Sequence, residues 1–372
     1  MEQELPPHMV SPAHTQWSRK RIVLSLLVIV FLLCLIVLFL FLTKSGKTIV
    51  KQARESLVES ISPTPFPYAE MTIPALRNRT YSSSLGELEF LSDNGSYTTY
   101  TTSYLSDGLR INGLLTIPTG QQPPGWPDNV QKWPAIVFIH GYIPPSLYVT
   151  TEKYGDYIDY LARNGFVVFK IDLRGHGESE GEPGGGYYGA DYVTDTLNAY
   201  AALQNTSFVD PKRIGLWGHS MAGNIVLRSL AARPTIPAVV IWAGAVYSYV
   251  DMAKYGIDDN SYRPPTDATR RLNRRRDLFE KNGSPSAQSA FWRLVAPTNF
   301  LTDIKGAIQL NHATDDDVVN IGYSRDLDAL LDDTNVPHEL HEYTSGGHNI
   351  TGNSFVSAME NTVRFFKEHL NG

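Results

Sequence analysis

Ser220 is the residue in this chain around which chemistry can be built. It stands in Arg213-Ile214-Gly215-Leu216-Trp217-Gly218-His219-Ser220-Met221-Ala222-Gly223, which reads as a short apolar strand, a break at glycine, and a helix continuing through Asn224, Ile225, Val226 and Leu230. A serine at a strand-to-helix break, with Gly218 two residues before it and Ala222 and Gly223 after it, has the pattern of a nucleophile elbow. The reason is steric. A sharp, strained turn lifts the hydroxyl off the sheet, and only small neighbours let strand and helix pass so closely. The helix also points its first N–H groups at any anion forming beside Ser220. The chemistry this predicts is nucleophilic attack on a carbonyl. The plain alternative is a strand-turn-helix that happens to hold a serine, so the partners decide.

Such a serine needs a base to take its proton and a carboxylate to hold that base in one tautomer. In an elbow fold the chain order is serine, acid, histidine. Downstream of Ser220 stand His312, His338, His341, His348 and His369. His338 and His341 sit at or within a strand and His369 in the last helix, where structural roles are the ordinary case. His348, in Ser345-Gly346-Gly347-His348-Asn349 just after the last strand, can reach a neighbouring strand end and is the expected base. The acid falls among Asp315, Asp316 and Asp317, which follow the strand exit Asn311-His312-Ala313-Thr314. Spacing does not choose among the three, and a solvated turn is the bland reading of them. The oxyanion of acyl transfer needs fixed N–H donors. The amide of Met221 is one. The amide of Tyr142, in His140-Gly141-Tyr142 at a strand exit, is the other, with the Tyr142 phenol second.

Alternating elements must position these residues. Tyr97 to Leu105 and Leu109 to Ile117 flank Ser106-Asp107-Gly108 and read as an antiparallel hairpin. Strands over Ala135–Ile139 and Phe166–Ile171 alternate with helices over Asp156–Ala162 and Ala190–Leu203, ahead of the elbow strand and its helix. Strand Ala238–Trp242, strand Ala307–Leu310, helix Tyr323–Leu331 and strand Glu339–Tyr343 follow. A closing helix is expected to bury Val356, Met359, Val363, Phe366 and Leu370. This alternation predicts an α/β fold with a mostly parallel sheet covered by helices on both faces, its site at the carboxyl ends of the strands. Residues 246–300 are too long for a plain connection and read as a helical insertion over the site. Its Arg270-Arg271 and Arg274-Arg275-Arg276 read first as a solvated helix face, with contact to an anionic substrate or lipid as the sharper alternative.

The 372 residues carry a net charge of −6 and no nucleic-acid motif. The single cysteine, Cys34, lies in an apolar run, which excludes a disulfide, a thiolate metal site and a cysteine nucleophile from the rest of the chain. Residues 22–42 are uncharged and apolar, about 20 residues and so long enough at 1.5 Å each to cross a hydrocarbon core of roughly 30 Å. The predicted layout is a tail over 1–21, a transmembrane helix over 22–43, a linker over 44–70 containing Ser62-Pro63-Thr64-Pro65-Phe66-Pro67, and a catalytic domain over 71–372. Basic residues flank the apolar run on both sides, so their count does not orient it. A single-pass anchor with the large domain outside the cytoplasm is the expected arrangement. The sequence carries no signal of an oligomeric state.

His140-Gly141, Asp172-Leu173-Arg174-Gly175-His176-Gly177-Glu178-Ser179, the elbow from Gly218 to Gly223, His312 to Val319, and Gly346-Gly347-His348 together resemble the α/β-hydrolase superfamily. Within it they are most similar to the catalytic domain of the prolyl oligopeptidase family and its single-domain relatives, and Phe291 to Lys305 adds to the likeness. The resemblance runs from about Tyr97 to the C-terminus. It implies Ser220 as nucleophile, Asp316 as orienting acid and His348 as base, with the Met221 and Tyr142 amides as oxyanion donors. It implies a structural role for the loop holding Arg174 and His176. Ala222, Ala313 and Asn320 depart from the residues usual in that family, and no β-propeller precedes the domain. The expected activity is hydrolysis of a peptide or ester bond in a small-molecule or short-peptide substrate, without metal or organic cofactor. A carboxylesterase or lipase-like hydrolase is the alternative within the fold, and a non-catalytic binding module the alternative outside enzymology.

Overall fold

In the computed structural model the described residues are 66–120, 132–184, 186–257 and 268–371. The predicted tail, membrane helix and most of the linker lie outside them. Among the described residues no helix is long and apolar enough to cross a membrane. The compact unit begins at Phe66. Phe66 packs edge-on against Phe291 with ring centroids 5.8 Å apart, and Tyr68 donates its hydroxyl to Asp277, so this stretch of the expected linker is part of the folded body.

After helix α1 (Ile73–Asn78) come β1 (Glu89–Asp93), β2 (Tyr97–Ser106), β3 (Leu109–Pro118) and β4 (Trp133–Ile139). Then follow α2 (Gly155–Arg163), β5 (Val167–Ile171), α3 (Asp191–Gln204), β6 (Val209–His219), α4 (Met221–Ala232) and β7 (Ala238–Trp242). Helices α5 (Asp251–Tyr255), α6 (Ala268–Asn282) and α7 (Ala290–Val295) occupy the expected insertion. The chain closes with β8 (Ala307–Ala313), α8 (Gly322–Asp332), β9 (His338–Tyr343) and α9 (Asn353–Leu370). The nine strands form one sheet in the order β1-β2-β3-β5-β4-β6-β7-β8-β9. The pairs from β1 to β5 through β3 are antiparallel, and every pair from β5 to β9 is parallel. The mostly parallel sheet expected from the alternation is therefore present.

The central strands are buried at both faces, which is why β4 and β7 read as unbroken apolar runs rather than alternating ones. Core clusters fill both sides of the sheet: one includes Val137, Leu216 and Ile241, the other Ile136, Trp217 and Val240, as a period of two requires. Two expectations need correction, and one strand was not anticipated. Strand β8 runs to Ala313, not Leu310, because its polar residues are buried with partners: Asn311 donates to Gln309 at 2.8 Å and accepts from the Tyr343 hydroxyl at 2.8 Å. Strand β1, exposed at all five positions, has no buried face to leave a pattern in the sequence. In α9 Val356 is 51% exposed, and Phe355 packs instead, its ring 5.1 Å from Tyr157.

Candidate active site

Strand β6 ends at His219, and Ser220 follows with φ 56° and ψ −119°, a backbone conformation that L-residues avoid, before α4 begins at Met221. The strained turn is held: the Ser220 N–H donates to the Trp242 carbonyl at 2.9 Å, and the Ser220 carbonyl accepts from Gly223 at 2.9 Å. A Cβ on Gly218 would sit 2.8 Å from the Ala222 carbonyl oxygen and 2.9 Å from Val226, so strand and returning helix cross in contact. Gly223 meets Gly244 in the same way, at 2.7 Å. Ala222 fits where the family usually has glycine, fully buried.

His348 lies in a single 3-10 turn, Gly347–Asn349, directly beyond β9. Its Nδ1 is 2.9 Å from Asp316 Oδ2. The structure separates the three neighbouring carboxylates that spacing leaves equivalent. Asp315 accepts from the amides of Gly346 and Gly347 at 3.2 and 2.8 Å, clamping the loop that carries His348. Asp316 turns inward, its other oxygen accepting from the Val318 and Val319 amides at 2.9 Å each. Asp317 faces the cavity. Burial alone would raise the Asp316 carboxyl. Hydrogen bonds from His312 and His348, the charge of His348 and the Val319 amide outweigh it and hold Asp316 well below the usual carboxylate range.

The loop after β4 brings up the third element. A Cβ on Gly141 would lie 3.1 Å from Ser220 Cβ and 3.0 Å from both His219 Nδ1 and the Tyr154 hydroxyl, so this backbone runs against the serine with no room to spare. Tyr142 and Met221, the two expected amide donors, line one cavity of about 1060 Å³ together with Ser220 and His348. His140, behind the loop, is packed on Tyr148 and His176 at 4.5 and 5.0 Å, and burial pushes its imidazole down to about 3.

Three contributors, His312, His219 and Tyr154, were not legible in the sequence. His312 sits on the Asp316 side of β8, its Nε2 3.2 Å from Asp316 Oδ2 and its Nδ1 2.8 Å from the Ser324 hydroxyl. His219, beside Ser220, places Nε2 2.9 Å from the His348 carbonyl. Tyr154 reaches His219 Nδ1 at 2.8 Å. In the insertion, Arg274 and Arg275 line the cavity rather than a solvated face alone: Arg274 pairs with Asp191 at 3.0 Å and Arg275 stacks over Tyr188 and Phe279, 5.2 Å from each centroid. The other histidines have local partners, His338 with the Val336 carbonyl at 2.8 Å and His369 against the Phe365 ring at 4.5 Å. Arg174 forms a buried pair with Asp195 at 2.6 Å, which is the structural role its loop suggests, whereas His176 reaches the cavity wall.

Comparison with known proteins bears on this arrangement. A polyketide transferase of Penicillium crustosum, claH, is 30% identical over 152 residues, 41% of this chain and 46% of its own. The chain thus spans about half the length of that relative. An uncharacterized peptidase of Bacillus subtilis (strain 168), YtmA, is 26% identical over 251 residues, 67% of this chain and 85% of its own. Among solved structures, acetyl xylan esterase 1 of Thermoanaerobacterium sp. JW/SL YS485 superposes with a TM-score of 0.54 at 19% identity, covering 85% of this chain and 98% of the esterase. The fold is therefore that of the α/β hydrolases. Residues 153–372, more than half the chain and including the elbow, the acid loop and the histidine loop, match the sequence profile of the prolyl oligopeptidase family. The chain belongs to the prolyl oligopeptidase family.

Proposed function

We propose that the protein hydrolyses small acyl substrates through a triad of Ser220, Asp316 and His348 and an acyl-enzyme. The contact between His348 Nδ1 and Asp316, with His348 and Ser220 on the wall of one cavity, carries the reading. Asp316 keeps the proton on Nδ1, so Nε2 is the basic nitrogen that takes the Ser220 hydroxyl proton as oxygen attacks the carbonyl. The amides of Met221 and Tyr142 receive the negative charge that develops on the carbonyl oxygen, each worth about 3 kcal/mol of barrier. His348 returns the proton to the leaving group, and a water deprotonated by the same nitrogen releases the acid.

The cavity wall argues for the bond. Its described charged residues are Lys153, Arg274 and Arg275 against one carboxylate, Asp317. A substrate with a free ammonium beside the scissile bond meets repulsion here. An ester, or a peptide without that charge, does not, which favours carboxylester hydrolysis over aminopeptidase action. Residues 22–43 are proposed as a single-pass anchor holding the domain on the extracytoplasmic side, tested by membrane fractionation and protease protection. Fluorophosphonate labelling of the full-length protein, lost in Ser220→Ala, separates enzyme from binding module. Turnover of p-nitrophenyl esters with none of aminoacyl-p-nitroanilides is the expected selectivity, and the reverse pattern refutes it.

A further inference from the structure

His219 occupies the position before the nucleophile, yet the triad leaves it without a task. It is buried, its ring 4.7 Å from that of His348. Its hydrogen bonds have only one consistent direction. The His348 carbonyl, 2.9 Å from Nε2, can only accept, so Nε2 carries a proton. Burial first, and the neighbouring His348 ring second, push the His219 imidazole down to about 3, so it is neutral and Nδ1 is a bare acceptor. The group 2.8 Å from Nδ1 is the Tyr154 hydroxyl, which must donate. The Tyr154 oxygen then keeps its lone pairs for the Gly141 amide, which donates to it at 2.9 Å. The chain therefore reads Gly141 N–H to Tyr154, Tyr154 O–H to His219, and His219 Nε2–H to His348. It starts one residue before Tyr142 and ends on the histidine itself.

Independent geometry supports a cost borne for this placement. Tyr154 has φ 60° and its neighbour Lys153 φ 59°, two consecutive non-glycine residues in the left-handed region. Such strain persists where surrounding contacts over-determine it, and Tyr154 is wedged edge-on against Phe138 at 5.3 Å and Trp217 at 6.1 Å. The next carbonyl along the histidine loop, that of Asn349, is held in parallel by the Tyr157 hydroxyl at 2.7 Å.

We propose that His219 and Tyr154 are positioning residues: a one-way hydrogen-bonded tie beneath Ser220 that fixes the oxyanion loop and the base loop relative to each other. The proposal rests on the triad reading above. A neutral His219 also suits the reaction, because a second cation 4.7 Å away would oppose the imidazolium that forms on His348.

The test uses full-length protein with p-nitrophenyl butyrate. Tyr154→Phe keeps the ring and its packing while removing the central hydroxyl. It is expected to lower kcat about tenfold, the effect of leaving buried polar groups unpaired, with KM nearly unchanged. His219→Leu should cost as much, and the double variant no more than either single one, because both break the same chain. His219→Gln, whose amide can still donate to the His348 carbonyl, should recover most of the loss. A readout independent of turnover is the ¹⁵N spectrum of the histidines, assigned by difference with His219→Gln. It should show Nε2 of His219 protonated and Nδ1 bare from about pH 5 to about pH 9, against an ordinary histidine midpoint near 6.5. A protonated Nδ1, or folded Tyr154→Phe and His219→Leu with kcat and pH profile of the parent, overturns the proposal while fluorophosphonate labelling of Ser220 persists. Absence of that labelling in the parent protein instead brings down the triad reading, and this proposal with it.

Discussion

Replacing Asp316 by asparagine changes one atom and should disable the enzyme. Asp316 Oδ1 accepts two amides, from Val318 and Val319, at 2.9 Å, and Oδ2 faces His348 Nδ1 at 2.9 Å and His312 Nε2 at 3.2 Å. In Asp316→Asn the two amides keep the side-chain oxygen on their side, so the new NH2 faces both imidazoles. His348 can relieve the clash only by moving its proton to Nε2, where it presents a donor to Ser220 and ceases to be a base. His312 has no such escape, because its Nε2 also donates to the Val319 carbonyl at 2.9 Å. Loss of the working tautomer lowers turnover by about 10⁴-fold in serine hydrolases, or about 5 kcal/mol of barrier. The assay is kcat/KM for p-nitrophenyl butyrate at neutral pH. Asp315→Asn keeps an acceptor for the shorter of its two amide contacts and should cost about tenfold at most, and Asp317→Asn should stay within about twofold. Stability gives a second check. The Asp316 carboxyl is depressed in the folded state, so its contribution is complete above the unfolded value of about 4 and is lost as pH falls through the folded one. The stability difference between parent and Asp316→Asn should shrink in acid. Retention of a tenth of the activity by Asp316→Asn, or an equal loss in Asp317→Asn, refutes this reasoning.

Gly141→Ala would put a methyl 3.0 Å from His219 Nδ1 and 3.1 Å from Ser220 Cβ, and is expected to lower kcat at least about tenfold while a thermal melt moves little. Arg174→Met leaves Asp195 buried without its cation and should cost about 3–5 kcal/mol in urea unfolding, most of it recovered in Arg174→Met/Asp195→Leu. Burial pushes Lys170 down to about 8, so between there and its unfolded value the unfolded chain holds more protons and stability rises with pH. Lys170→Met removes about 3 kcal/mol of that penalty at pH 7, less about 1–2 for the lost bond to the Glu152 carbonyl at 2.9 Å. Its advantage should fade as pH rises towards about 10 and the unfolded lysine begins to lose its proton.

What could be read from the sequence was what is local. The elbow is legible because Gly218, Ser220 and Gly223 are within one turn of each other and their smallness answers a contact that is itself local. His348 is legible as the candidate base by its position after a strand. The choice among Asp315, Asp316 and Asp317 is not, because consecutive residues point in different directions and only the fold says that the His348 loop lies on the side of Asp316. His219 and Tyr154 were missed for the same reason: their partners are 129 and 65 residues apart in sequence. Helical spacing found α9 but took Val356 for a core residue, since a period of 3.6 fixes a stripe only to within about one position.

Four of the places where local rules fail lie along one rim. Leu173 follows β5, Ser220 follows β6, Ala243 follows β7 and Ile350 lies beyond β9, and all four are non-glycine residues with φ between 47° and 56°. Each stands past the carboxyl end of a parallel strand, on the side where the reactive groups converge. A residue so placed costs about 1–3 kcal/mol. Three of them stand past β5, β6 and β7, whose residues nearest the rim are buried and contribute far more than the rim consumes. Restoring relaxed geometry at the rim, by glycine at Ala243 for instance, should therefore raise stability or leave it unchanged while loosening the Trp242 carbonyl that anchors Ser220. If Ala243→Gly lowers kcat without lowering the melting temperature, rim strain serves to hold the nucleophile. A fall in both together would mean that the strain is only a by-product of packing.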